Sequence, residues 1–101
     1  MNKDLSKDLY STTALFEELL PQIVEINKSS DDDSVKKETA INLIVASLCK
    51  RRNDDPNDIK GISRDRITKI RNIIILKDDV DGIIRYMQSS IKSGKNYNGG
   101  N

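Results

Sequence analysis

Aliphatic residues in this chain recur at intervals of three and four, and they do so in four separate segments. Ile41, Ile44, Val45 and Leu48 show the spacing most cleanly. A side chain returns to the same side of an α-helix every three or four positions, whereas a strand alternates at two, so each segment is expected to be an amphipathic helix with one buried stripe. The first stripe is Leu5, Leu9, Phe16, Leu19, Leu20, Ile23 and Ile26. The third is Ile67, Ile70, Ile73 and Ile74, and the fourth is Val80, Ile83, Ile84, Met87 and Ile91. Isoleucine favours strands by propensity, but tertiary patterning outweighs so weak a preference. With one Phe, three Tyr and no Trp, the core falls to Ile, Leu and Val.

Polar punctuation separates these stripes. NKSSDDDS at 27–34 supplies an N-cap and acids for the positive end of a helix dipole, opening a helix expected from Val35 to Arg52. NDDPND at 53–58 ends it, because Asn and Asp bond local backbone and Pro56 forbids continuation. Ser63 is placed to cap the third helix, and Asp78 or Asp79 the fourth, from about Asp79 to Lys92. Gly94 reads as a helix stop, with KNYNGGN after it lacking any apolar period, so 94–101 is expected to be a flexible tail. Pro21 should kink or split the first helix, and Ser11, Thr12 and Thr13 offer an alternative cap that would detach the segment before them. The expected fold is therefore all-α, a bundle of four helices, or five if the first divides, with short loops and one domain over 1–93.

Several functions are disfavoured by what the sequence lacks. No apolar run exceeds four residues, as in Ile73-Ile74-Ile75-Leu76, far below the roughly 20 that a membrane-spanning helix requires. MNKDLSKDLYSTT carries acids among its lysines and no cleavage pattern, so a cytoplasmic location is expected. The chain has no His, and its single Cys49 sits in LIVASLC, where burial as a small hydrophobe is the expectation. Neighbouring Lys50, Arg51 and Arg52 leave a reactive thiol as the other reading. Asp31, Asp32 and Asp33 are consecutive, whereas calcium loops space their acids at alternate positions and end on a Glu, so capping is preferred to a metal. No cofactor, metal site or catalytic set is expected, and at 101 residues a binding role suits the chain better than an enzyme.

One stretch carries a resemblance. GISRDRITKIRN, residues 61–72, resembles the turn and recognition helix of helix-turn-helix repressors: Gly61 for the turn, Ile62 apolar, Ser63 as cap, then Ile67 and Ile70 where that helix packs inward. The resemblance implies that Arg64, Asp65, Thr68 and Lys69 face outward toward bases and that Arg71 lies near the phosphate backbone. It covers about a dozen residues. Upstream, where the family has its first helix, this chain has NDDPNDIK, with Pro56 inside, Asn57 at the small-residue position and Ile59 as the lone apolar anchor.

Charge bears on the same question. Residues 50–77 hold nine Lys/Arg and four Asp, whereas residues 1–49 hold five Lys and nine Asp/Glu. Lys50, Arg51, Arg52, Arg64, Arg66, Thr68, Lys69 and Arg71 are thus the candidate contacts to nucleic acid or to an acidic protein. On a helical wheel Arg64 and Arg71 flank one side of the isoleucine stripe, and Arg66 and Lys69 the other. Long cations beside a buried stripe take that arrangement, and the acidic first half could also neutralise them internally.

Leu43, Ile75 and Leu76 lie away from the main stripes and are expected either to form a contact patch or homodimer seam or to widen the core. Ile75, Leu76, Arg85 and Tyr86 are the candidate protein-interface residues, with Tyr10 a further aromatic anchor. The favoured reading is a non-enzymatic helical protein that binds a protein partner. It would be a regulator, inhibitor, immunity-type protein or accessory subunit of bacterial, phage or mobile-element origin. The alternative is a DNA-binding regulator using 53–76.

Overall fold

The structure is a computed structural model that describes residues 2–54 and 62–99, with side chains described for 12–51 and 62–94. Four helices follow one another: α1 (Asn2–Lys28), α2 (Asp33–Asp54), α3 (Arg64–Ile75) and α4 (Val80–Gly99). They pack together as an all-α bundle, and the described residues contain no strand.

Local chemistry explains where the helices begin and end. The Lys36 ammonium donates to the Asn27 carbonyl at 3.0 Å, placing a cation on the last turn of α1. Ser63 has extended backbone and its hydroxyl accepts the Arg66 N–H at 3.1 Å, which makes it the N-cap of α3 as the sequence indicated. At the other end, Leu76 N–H and Lys77 N–H donate to Ile73 and Ile74 carbonyls, both at 3.2 Å. Of the two aspartates that could cap α4, Asp79 serves: its Oδ1 accepts the Gly82 N–H at 2.9 Å.

Four contacts fix direction. Asn27, at the end of α1, donates to Asp81, at the start of α4, at 2.8 Å. Thr13 in the first half of α1 meets Gly94 near the end of α4. The two helices are therefore antiparallel, and their packing is the most extensive in the molecule. Glu18 pairs with Arg51 and Asn27 with Lys36, so α2 also runs antiparallel to α1. Helix α3 packs on α2.

The core draws on every element. Leu15, Phe16, Leu19 and Ile23 come from α1, Ala40, Ile44 and Leu48 from α2, Ile67, Ile70 and Ile74 from α3, and Val80, Ile83 and Met87 from α4. Ile62, just ahead of the Ser63 cap, is fully buried and plugs the approach to α3. Leu20, Ile26, Ile41, Val45, Ile84 and Ile91 pack half-buried around these. Leu5, Leu9 and Tyr10 lie outside the described side chains.

Three expectations are corrected and one is narrowed. Of the kink or split expected at Pro21, the split does not occur, since α1 is continuous through it. The ring is exposed, while Leu19 and Ile23 on either side are buried. Burying two such side chains contributes about 1.5–3 kcal/mol each, enough to offset the roughly 3 kcal/mol that an interior proline costs. Thr12 and Thr13 are not caps: they lie inside α1 with buried side chains. Ile73, assigned to the inner face, is 38% exposed, because Ile70 and Ile74 alone occupy the stripe there. Gly94 does not stop α4, which continues to Gly99. A glycine is needed at 94 for a different reason, because a Cβ there would collide with Thr13 Oγ1.

Candidate functional site

Three of the four residues expected at a protein interface come together. Leu76, Arg85 and Tyr86 line one open groove where the end of α3 turns into α4, completed by Lys77, Asp78, Asp79, Gly82 and Ser89. Its volume is about 470 Å³. Leu76 is 82% exposed because the turn directs it away from the core that Ile74 and Val80 enter on either side. Ile75 is 39% exposed and lies outside the groove's lining. Leu43, which the sequence grouped with these two, instead packs half-buried against the core.

Tyr86 is the pivot of this region. Its ring meets Phe16 edge-on, with centroids 5.9 Å apart, which anchors it to the core. The Lys77 ammonium lies 5.7 Å from the ring centroid on the groove side, a cation–π contact worth about 0.5–1 kcal/mol at an exposed site. Burial raises the phenol pKa above its ordinary value of 10.0. A hydrogen bond between the phenol and the Ser90 hydroxyl, and the positive charge of Arg66, partly offset that rise.

Tyr86 and Ser89 also line a second, smaller cavity of about 180 Å³, so the two depressions adjoin along α4. Its other walls are Thr12 and Thr13 of α1, Arg66 of α3, and Ser90 and Ser93 of α4. Thr12 is 6% exposed and its Oγ1 has no hydrogen-bond partner. An unsatisfied buried hydroxyl costs about 1–3 kcal/mol, so this position is not explained by packing.

The basic candidates divide among three settings. Lys50 and Arg51 line a groove between α1 and α2, where Arg51 reaches Glu18 at 3.0 Å. Arg66 is half-buried and turns toward Tyr86. Arg64, Thr68, Lys69 and Arg71 are exposed on α3, as the helix-turn-helix resemblance implies, and Lys69 pairs with Asp65 at 3.2 Å. The Arg52 side chain, Gly61 and the Pro56 segment lie outside the described residues. Cys49 is exposed rather than buried, because the α2 stripe runs through Ala40, Ile44 and Leu48 and leaves the next position outside it. No three acids gather into a metal-binding group among the described residues, and Asp31, Asp32 and Asp33 all face solvent.

The sequence reading missed Thr12, Thr13, Ser89, Ser90 and Ser93 as lining residues. A signal existed: Thr12 and Thr13 precede Phe16 at helical spacing, placing hydroxyls on an otherwise apolar face. Tyr86, Ser90 and Ser93 repeat at four and three on α4. No family model, curated protein or solved structure matches the chain.

Proposed function

We propose that this chain is a non-enzymatic helical binding module that acts on a protein partner through the groove at the α3–α4 turn. The observation that carries the reading is the exposure of Leu76 beside Arg85 and the half-buried Tyr86. Water gains nothing from an aliphatic side chain held at 82% exposure, whereas a partner that covers it removes apolar surface at about 25 cal/mol per Å². Tyr and Arg are the residue types that dominate binding energy at protein interfaces, and Tyr86 is held in place by Phe16 before any partner arrives. The biological role that fits such a module is that of a regulator, inhibitor, immunity-type protein or accessory subunit.

A second reading has one observation in its favour. The Ser63 cap and the outward display of Arg64, Thr68, Lys69 and Arg71 match the recognition half of a helix-turn-helix. A single experiment separates the two. The tagged chain is used to capture partners from its host extract with and without nuclease, beside Leu76→Asp/Arg85→Ala and Arg64→Ala/Lys69→Ala variants. The protein-binding reading expects a partner that survives nuclease and is lost with the first variant. Recovery of DNA that only the second variant abolishes would replace it with the DNA-binding reading.

A further inference from the structure

We infer that the protein partner covering the α3–α4 turn meets it with a basic surface, rich in Lys and Arg, drawn there by an acidic end of the bundle. This inference rests on the protein-binding reading and adds the chemistry of the partner.

The turn between α1 and α2 and the turn between α3 and α4 lie at the same end of the molecule. Asn27 joins them: its side chain donates to Asp81 at the start of α4 at 2.8 Å, and its carbonyl accepts from Lys36 at the start of α2 at 3.0 Å. This end is acidic. Residues 25–38 and 76–85 hold eight Asp/Glu against five Lys/Arg, whereas the rest of the chain holds eight against twelve. Three of the five cations already have partners. Lys28 pairs with Glu25 at 3.6 Å, Lys36 holds the Asn27 carbonyl, and Lys77 lies over the Tyr86 ring. By contrast Asp31, Asp32, Asp33 and Asp78 are exposed and form no ion pair with a described residue.

Apolar exposure falls at the same end. Leu76 is 82% exposed and Val35, in the first turn of α2, is 46% exposed. An apolar anchor with charge around it is the anatomy of a protein interface, where the centre excludes water and the rim selects the partner. The selection here is for positive charge. Lys50 and Arg51 at the end of α2, and Arg64 and Arg66 at the start of α3, lie at the far end, because both helices span the bundle from one end to the other. A basic protein is therefore attracted to the turn and repelled from the opposite end, while a nucleic acid is repelled from the turn. A second copy of this chain would have to offer its own basic end, where Arg51 is held by Glu18 and Arg66 is half-buried. Such a head-to-tail contact would also leave an open chain rather than a closed dimer.

The test begins with the full chain immobilised in nuclease-treated host extract. The protein retained by wild type and released by Leu76→Ala is purified, and its affinity is measured at low and high salt for wild type and for Asp31→Lys/Asp78→Lys. Both aspartates are exposed, so the variant should keep the wild-type midpoint in urea. Charge reversal should weaken binding by about tenfold or more, mostly through a slower association rate, and added salt should weaken wild type in the same way. Asp65→Lys, at the far end, should leave the affinity unchanged. A partner that depends on Leu76 but binds Asp31→Lys/Asp78→Lys as tightly as wild type, or that is indifferent to salt, would overturn this inference and leave the protein-binding reading standing. Retention of no Leu76-dependent protein would overturn both. Salt-sensitive self-association in sedimentation, lost in the charge variant, would replace the basic partner with a second copy.

Discussion

Gly94 and Thr13 show how closely single atoms set the packing of α1 on α4. A Cβ at position 94 would meet not only Thr13 Oγ1 but also its Cβ at 3.1 Å and its Cγ2 at 3.3 Å, so rotating the threonine exchanges one clash for another. In an open helix Gly→Ala stabilises by about 1 kcal/mol. Here the overpacking cost of about 1–3 kcal/mol should prevail, so Gly94→Ala lowers stability in urea unfolding and Thr13→Ala in the same chain restores most of it. Stabilisation by Gly94→Ala alone would mean that the helices are not in this contact. Tyr86 makes a prediction of opposite character, through protons. Its folded pKa lies above 10.0, so the folded state holds the phenolic proton after the unfolded state has released it. Its contribution is intact below pH 10 and is lost as pH rises through the raised value, which makes stability fall with pH in the alkaline range. Tyr86→Phe should flatten that part of the curve, as read by unfolding midpoints against pH.

At the scale of the element, α3 was the most legible part of the chain. Its cap, its inner Ile67, Ile70 and Ile74, and its outward Arg64, Thr68 and Lys69 follow from spacing over residues 61–76, although the same spacing also put Ile73 on the inner face, where the fold leaves it exposed. Ser63→Ala should cost about 1 kcal/mol in urea unfolding with an unchanged denaturant slope, because it removes the hydroxyl that accepts the Arg66 N–H and exposes no new surface. No loss would show that the cap is dispensable. Helix α1 was less legible because the two local signals within it point the wrong way. Pro21 and Ser11-Thr12-Thr13 are breakers and caps by local chemistry, and only the burial of Leu15, Phe16, Leu19 and Ile23 along one side explains why the helix continues through both. Local propensity is a small energy beside such burial, and burial depends on partners that a single helix does not reveal. The same reason accounts for α2, where the period correctly gave a helix but Ala40, rather than Ile41, lies fully in the core.

Taken whole, the bundle places its functional candidates along α4 and the turn before it. The groove of Leu76, Arg85 and Tyr86 was legible in part, because outward apolar and aromatic residues are visible in a helical wheel. The adjoining cavity was not, since it needs Thr12, brought to Tyr86 by the antiparallel pairing of α1 with α4, and also Arg66 of α3, 54 positions from Thr12 in the chain. The basic segment illustrates the converse. Its charge is contiguous in sequence, yet the fold pairs Arg51 with Glu18 of α1, outside the segment, and half-buries Arg66, so the net charge of the segment is not the charge of one exposed surface. The claim that the α3–α4 turn is the contact face is tested most directly by position-specific photo-crosslinking in the host. A photoreactive residue is placed at Leu76 in one chain and at Thr68, exposed on α3, in another. The account predicts a discrete crosslink to a protein from position 76 and none from position 68. A crosslink to nucleic acid or protein from position 68 alone, with nothing from 76, would contradict it.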